Sequence, residues 1–165
     1  KICKKCNSSI LKNKFYYRNI IDFIKFQMKQ ENFFKNVLEF KNRQRNEEYY
    51  EDIDDGSIYK KYQNDFEFSF TFSSDGLKTY KSTRDSIWAF FILINECINI
   101  KRYNYDNSFL FQIINCKKMP NSNLLLAPFF TELKKLSYGI QVRQCTIRCL
   151  LINTIFDLPG LLICL

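Results

Sequence analysis

The clearest pattern along the chain is an alternation of phenylalanine with polar residues. Residues 66–73 read FEFSFTFS, so every second side chain is a phenylalanine. A period of two is typical of a β-strand with one apolar face. The strand leads into Asp75-Gly76, a dipeptide common in hairpin turns, and we expect the strand to end there. Taken alone, Asp75 is therefore more typical of a turn residue than of a metal ligand.

Four further segments follow this strand. The apolar runs 86–94 and 108–115 have strand length, and residues 145–156 form a nearly continuous apolar run, as expected for a strand buried on both faces. Between the last two strands, Pro128 opens a predicted helix, which Gly139 closes. The order is strand, strand, strand, helix, strand. We predict a single sheet in which the fourth strand lies beside the first.

The segment before this unit has a helical pattern. Residues 15–45 contain no Gly or Pro, and apolar residues recur at helical spacing with Lys and Arg between them. We predict mainly helical structure, docked through Phe23, Ile24, Phe33, Val37 and Leu38. Residues 47–61 read EEYYEDIDDGSIYKK, and we interpret them as a solvated linker because like charges repel in a compact element. A carboxylate cluster can also bind a cation, but the spacing is not that of an EF-hand loop.

Charge narrows the classes of function. The chain of 165 residues carries 25 Lys and Arg against 17 Asp and Glu, a formal net charge of +8. Twelve basic and three acidic residues lie within positions 1–45, which favours an anionic partner such as nucleic acid. The candidate nucleic-acid contacts are Lys12, Lys14, Arg18, Lys25, Lys29, Arg43 and Arg45. The alternative is that these charges only form the solvated face of packed helices.

Cysteine and histidine usage adds further limits. The chain has seven Cys and no signal-peptide pattern, so we expect reduced thiols and a nuclear or other intracellular location rather than secretion. It has no His, which excludes Ser-His and Cys-His nucleophile pairs and His metal ligands. Cys3 and Cys6 have the spacing of half a Zn²⁺ site, with a pair of free thiols as the alternative. No apolar run approaches the roughly 20 residues that span a membrane.

Two acidic residues close predicted strands of the sheet. Asp75 follows the first strand and Asp157 follows the fourth. Acids at these two strand ends in a β-β-β-α-β order are the arrangement of ribonuclease-H-like nucleotidyl transferases, because insertion of the fourth strand beside the first brings the carboxylates together. Phosphodiester chemistry of this type uses two divalent ions held by acids. Oxygen ligands suit Mg²⁺ or Mn²⁺, so the lack of His is no obstacle.

A set of short stretches carries a resemblance to a known family, and their order is more specific than any one of them. They are DIDDGSIYK (52–60), FTFSSDG (70–76), KSTRDSIW (81–88), INE (94–96), LAPFFTELKKL (126–136) and DLP (157–159). In these stretches the chain resembles the transposase of CACTA-type (En/Spm-like) DNA transposons, in the animal form found as transposon-derived genes.

The resemblance implies a fold, a site and a partner. The fold class is α/β, with a ribonuclease-H-like mixed sheet that is incomplete at its C-terminal end and preceded by a helical N-terminal region. Asp75 and Asp157 match the first and second acids of a DDE triad that binds Mg²⁺ or Mn²⁺ and carries out DNA cleavage and strand transfer. The chain then divides into a cysteine-containing lead-in (1–14), a helical basic region with an acidic linker (15–64) and the N-terminal part of a transposase domain (65–165).

The third acid of the family lies well beyond the second, and the sequence stops before that point. We therefore expect a truncated or degenerate transposase fragment. The alternative is a non-catalytic, transposon-derived module that contacts DNA or another protein, and a third hypothesis is an interaction domain unrelated to DNA. Oligomerisation is compatible with each of these hypotheses.

Overall fold

A mixed β-sheet with helices packed on it is the framework of the protein, in a computed structural model that describes residues 14–44, 48–78, 86–116 and 122–156. The five strands of the sheet are β1 (Lys14–Tyr17), β2 (Phe68–Lys78), β3 (Ser86–Ile94), β4 (Ser108–Cys116) and β7 (Cys149–Phe156). Two short strands, β5 (Ile140–Val142) and β6 (Cys145–Ile147), pair separately. The helices in the described ranges are α1 (Ile20–Gln27), α2 (Glu31–Lys41), α3 (Ser57–Tyr62), α4 (Asn99–Arg102) and α5 (Ser122–Tyr138), with a 3-10 turn at Ile53–Asp55. None of these described helices is long and apolar enough to cross a membrane.

The strand order of the sheet is β1-β4-β3-β2-β7. β2, β3 and β4 are successive antiparallel neighbours, whereas β7 pairs with the other edge of β2 in parallel. A parallel connection needs a crossover, and α5 lies in the connection from β4 to β7. The predicted α/β class is confirmed, and so is the prediction that the fourth strand lies beside the first.

The phenylalanine face of β2 forms the core of the protein. Phe68 and Phe72 are buried there with neighbouring side chains of the sheet. The ring of Phe129 on α5 stacks on Phe72 with centroids 4.8 Å apart, and the ring of Phe33 on α2 lies 5.4 Å from that of Phe68. Helices α1, α2 and α5 therefore cover the face that the period-two pattern predicts.

The N-terminal segment is helical only from Ile20 onward. The prediction of helix from residue 15 is wrong at its start, because β1 pairs with β4 at the edge of the sheet and this pairing overrides the local pattern. Phe33 and Val37 are buried as predicted. Leu38 is 57% exposed, which contradicts the prediction. It follows Val37 by one position, about 100° around the helix, and therefore lies off the buried stripe.

The dipeptide Asp75-Gly76 does not form a turn. β2 continues through it to Lys78, with Asp75 opposite Ala89 and Gly76 opposite Trp88 on β3. A Cβ atom on Gly76 would lie 2.8 Å from the Trp88 ring. The glycine thus admits an aromatic ring across the strand pair, which is a known reason for glycine inside a strand. The prediction that the first strand ends here is wrong.

The start of α5 and the continuity of the last predicted strand differ from the prediction. The helix begins at Ser122, so Pro128 lies inside it rather than in its first turn. It ends before Gly139, whose φ of 102° belongs to the left-handed region, and the predicted role of this glycine as the helix terminator is confirmed. The last predicted strand is interrupted at Arg148, which separates β6 from β7.

The acidic segment before β2 is folded and not a solvated linker. Asp54 and Asp55 are buried, and both pair with Arg43, at 3.3 Å in the case of Asp55. The guanidinium of Arg102 donates to both carboxylate oxygens of Asp52 at 2.5 and 2.8 Å. The interpretation of residues 47–61 as a solvated linker was wrong, because it rested only on the charges within that segment. Arginines from α4 and from the residues after α2 neutralise these carboxylates.

Candidate functional site

Asp75 lies near the carboxyl end of β2, on the sheet face opposite the phenylalanine core. Successive side chains of a strand point to opposite faces. Phe72 and Ser74 are buried on the core side, whereas Asp75 is exposed on the other side. Its cross-strand neighbour on β3 is Ala89, a small residue. The Asp75 carboxylate is therefore accessible to solvent and to a ligand at this edge.

β7 runs to the same edge of the sheet as β2. The register pairs Thr71 with Asn153, and it pairs Ser74 with Phe156, the last described residue of the chain. The carboxyl end of β7 thus lies alongside the residue that precedes Asp75. Asp157, the second predicted acid, lies outside the described residues.

The predicted nucleic-acid contacts have different surroundings. Arg18, Lys25 and Lys29 are exposed on α1 or next to it. Arg43 is engaged within the protein by the carboxylates of the acidic segment, so its guanidinium is not presented to a phosphate. Lys14 is the first residue of β1. The remaining predicted site residues lie outside the described residues, namely Lys12, Arg45, Cys3 and Cys6.

Of the predicted metal ligands, only Asp75 lies in the described part of the chain. Across residues 14–44, 48–78, 86–116 and 122–156, no group of three or more Cys, Asp or Glu side chains is placed to hold a metal ion. An exposed carboxylate is a suitable oxygen ligand for a hard divalent ion such as Mg²⁺ or Mn²⁺. Asp75 therefore fits such an ion as one ligand of a larger set.

A buried polar network that the sequence did not predict lies near the amino-terminal end of β2. Glu96 lies two positions after the last residue of β3 and is 1% exposed. The backbone N–H of Ser69 donates to Glu96 at 2.8 Å, and the Ser69 hydroxyl donates to it at 2.7 Å. Asn95 donates to the Ser69 hydroxyl at 3.0 Å and accepts from the Thr71 hydroxyl at 2.7 Å. A possible signal was the Asn-Glu pair that follows an otherwise apolar run.

The environment of Glu96 makes its ionisation unfavourable. Burial raises the pKa of Glu96 to about 7, although the hydrogen bonds from Ser69 act in the other direction. Ser69 and Asp75 are six positions apart on β2, which corresponds to about 20 Å along a strand. Glu96 therefore lies near the other end of β2, and its protonation is independent of the surroundings of Asp75.

The N-terminus of α1 is held by another buried carboxylate. Glu132 on α5 accepts a hydrogen bond of 2.7 Å from the backbone N–H of Ile20, the first residue of α1. The N–H groups of a first helical turn lack partners inside the helix, so this carboxylate satisfies one of them. The contact fixes α1 against α5 and orients the exposed basic residues of α1 relative to the sheet.

Comparison of the chain with protein-family models, with curated proteins and with solved structures gave no match.

Proposed function

We propose that this chain forms the first part of a ribonuclease-H-like nucleotidyl transferase domain of the DDE transposase type, which acts on DNA with a divalent metal ion. The observation that carries this proposal is the parallel pairing of β7 with β2 in the order β4-β3-β2-β7. Three antiparallel strands followed by a crossover helix and a parallel fourth strand beside the first are what the transposase resemblance implies.

In this proposal, Asp75 and Asp157 hold the metal ion together. The described register reaches Ser74 opposite Phe156, and Asp75 and Asp157 are the residues that directly follow this pair in the sequence. Neighbouring strands lie about 4.8 Å apart, so two carboxylates in register are close enough to share one ion. Divalent ions held by such carboxylates would activate the attacking oxygen and stabilise the leaving oxygen of a phosphodiester. No acidic residue follows Asp157 in this sequence, so for these 165 residues we expect metal binding without DNA cleavage.

A second candidate function is DNA binding without cleavage. It is favoured by the exposure of Arg18, Lys25 and Lys29 around α1, which packs on the face of the sheet opposite to Asp75. Basic side chains that displace counterions from phosphates make binding strongly salt-dependent. A steep loss of affinity for duplex DNA with added salt would support this candidate, and salt-independent binding would contradict it.

Isothermal calorimetry with Mn²⁺ tests the metal site. The wild-type chain should bind Mn²⁺, and saturation should raise its stability, by about 2.7 kcal/mol at a hundredfold excess over the dissociation constant. Asp75→Asn should remove both effects and leave the fold intact, because the side chain is exposed. Asp65→Asn is a matched control, since Asp65 is also exposed but precedes β2 at its other end. A folded wild-type sample that takes up no Mn²⁺ at millimolar concentration would refute the proposed site.

A further inference from the structure

A polar cleft of about 510 Å³ lies between the α1–α2 corner and the loop that follows α4. Its walls include the rings of Phe26 and Phe33 and the side chain of Lys35. They also include six carboxamide side chains, those of Gln27, Gln30, Asn32, Asn36, Asn104 and Asn107. The cleft is therefore lined by hydrogen-bonding amides around aromatic rings.

Two of these amides build the wall and the other four are available for a ligand. Gln27 and Asn107 are buried, and each donates to a backbone carbonyl, Gln27 to Asp106 and Asn107 to Lys101 at 2.8 Å. In contrast, four side chains make no hydrogen bond among the described residues, namely those of Gln30, Asn32, Asn36 and Asn104. Each carboxamide offers two N–H donors and one oxygen acceptor. The cleft thus presents unused donors and acceptors side by side.

An exposed aromatic ring stands at the rim of this cleft. Phe26 is 59% exposed and also lines a neighbouring cleft that contains Arg18 and Asp22. The ring therefore forms a ridge between two clefts. Lys29 is exposed in the turn after α1, where its backbone N–H donates to the carbonyl of Phe26 at 3.0 Å.

Both acidic and basic residues surround the cleft, and two of the lysines make no ion pair among the described residues. Asp106 contributes an acidic side chain to the lining, and Lys101 pairs with Glu39 at 2.6 Å. Lys35 lines the cleft and makes no ion pair among the described residues, and neither does the exposed Lys29. Two cations are therefore available for a phosphate next to the amide-lined walls.

We propose that this cleft binds an unpaired base of single-stranded DNA, with Phe26 as the stacking surface and Gln30 and Asn36 on the base edge. Base edges carry donors and acceptors together, which carboxamides match. Proteins that bind single strands combine aromatic stacking with cations along the backbone, and here Lys29 and Lys35 take the second role. In a duplex the base faces are stacked and the pairing edges are occupied, so the cleft selects an unpaired base. The inference rests on the proposed function in taking DNA as the partner, but it uses no residue of the Asp75 edge.

Fluorescence anisotropy with a labelled oligothymidine of about 12 nucleotides tests the cleft. The full chain is titrated in EDTA at about 50 mM salt, where phosphate contacts are strong. Phe26→Ala should weaken binding by roughly tenfold or more, because one base loses its aromatic partner. Phe26→Trp should retain binding. Leu38→Ala is the matched control, since Leu38 is similarly exposed at 57% but lies on α2 outside the cleft, and it should bind as the wild type does.

Several results would overturn the assignment. Equal affinities of Phe26→Ala and Leu38→Ala for the oligothymidine would remove the stacking role, and no binding by the folded wild type would remove the site. Tighter binding of the matching oligouridine or of a duplex would assign the surface to RNA or to duplex DNA. Because EDTA removes divalent ions, Asp75→Asn should bind the oligothymidine normally. Loss of Mn²⁺ binding with retained strand binding, or the reverse, therefore separates the failure of one proposal from that of the other.

Discussion

Replacing Glu96 with glutamine should abolish a pH dependence of stability that the buried carboxylate imposes on the fold. The pKa of Glu96 is about 7 in the folded protein, against an ordinary value of 4.5. Below pH 4.5 the group is protonated in both states, so the contribution of the neutral acid to stability is fully present. As the pH rises toward 7, the unfolded chain releases the proton while the folded chain keeps it, and this favours unfolding. Above pH 7 the loss is complete, and from the two pKa values it amounts to about 3 kcal/mol.

Urea denaturation between about pH 5 and pH 8 measures this effect, in the window where histidine would normally titrate. The chain has no His, so imidazole groups do not contribute to the curve. The free energy of unfolding of the wild type should fall with rising pH more steeply than that of Glu96→Gln, which keeps one oxygen to accept from Ser69. Ser69→Ala removes a hydroxyl that donates to the carboxylate at 2.7 Å, so the decline should extend to higher pH. Parallel curves for the wild type and Glu96→Gln would refute the reasoning.

Two further substitutions test the packing and the ion pairs that shape the fold. Gly76→Ala should destabilise the protein by roughly 1–3 kcal/mol, because its Cβ would lie 2.8 Å from the Trp88 ring. In thermal denaturation, adding Trp88→Leu to this variant should restore much of the lost stability. Additive losses from the two substitutions would contradict the contact. Arg102→Met should cost about 3–5 kcal/mol in urea denaturation, because it removes the bidentate partner of Asp52, whose side chain is only 5% exposed. The adjacent Lys101→Met should cost less than about 1 kcal/mol because its ion pair is exposed, and equal losses from the two substitutions would count against the buried pair.

Local pattern alone predicted the main elements of the sheet. The alternation of residues 66–73 is a property of neighbouring residues, and it correctly predicted both the strand and its buried face. The order of strands and helix then restricted the topology, because the connection between parallel strands must cross over the sheet. The position of β7 beside β2 followed from that order together with the transposase resemblance, and the register confirms it.

The sequence placed Asp75 at the end of a strand, and the structure revises that position. Local chemistry assigned Asp75 to a turn, because Asp-Gly is common in hairpins. In the structure the dipeptide lies within a paired strand, since the ring of Trp88 occupies the space over Gly76. The partner that decides this conformation is twelve positions away on another strand, so no local pattern contains it.

By itself, the sequence determined the α/β class, the apolar faces of the strands and the termination of α5 at Gly139, because each depends on residues within a few positions of one another. Only the tertiary structure decided which charged groups are paired and which carboxyl group keeps its proton. The acidic segment is folded because Arg43 and Arg102 reach its carboxylates, and Glu96 keeps its proton to near neutral pH because the sheet and its neighbours exclude water from it. The free energy of a charge depends on solvent access and on partners that can come from anywhere in the chain. Hydrophobic periodicity can be read locally, whereas ionisation and pairing require the fold.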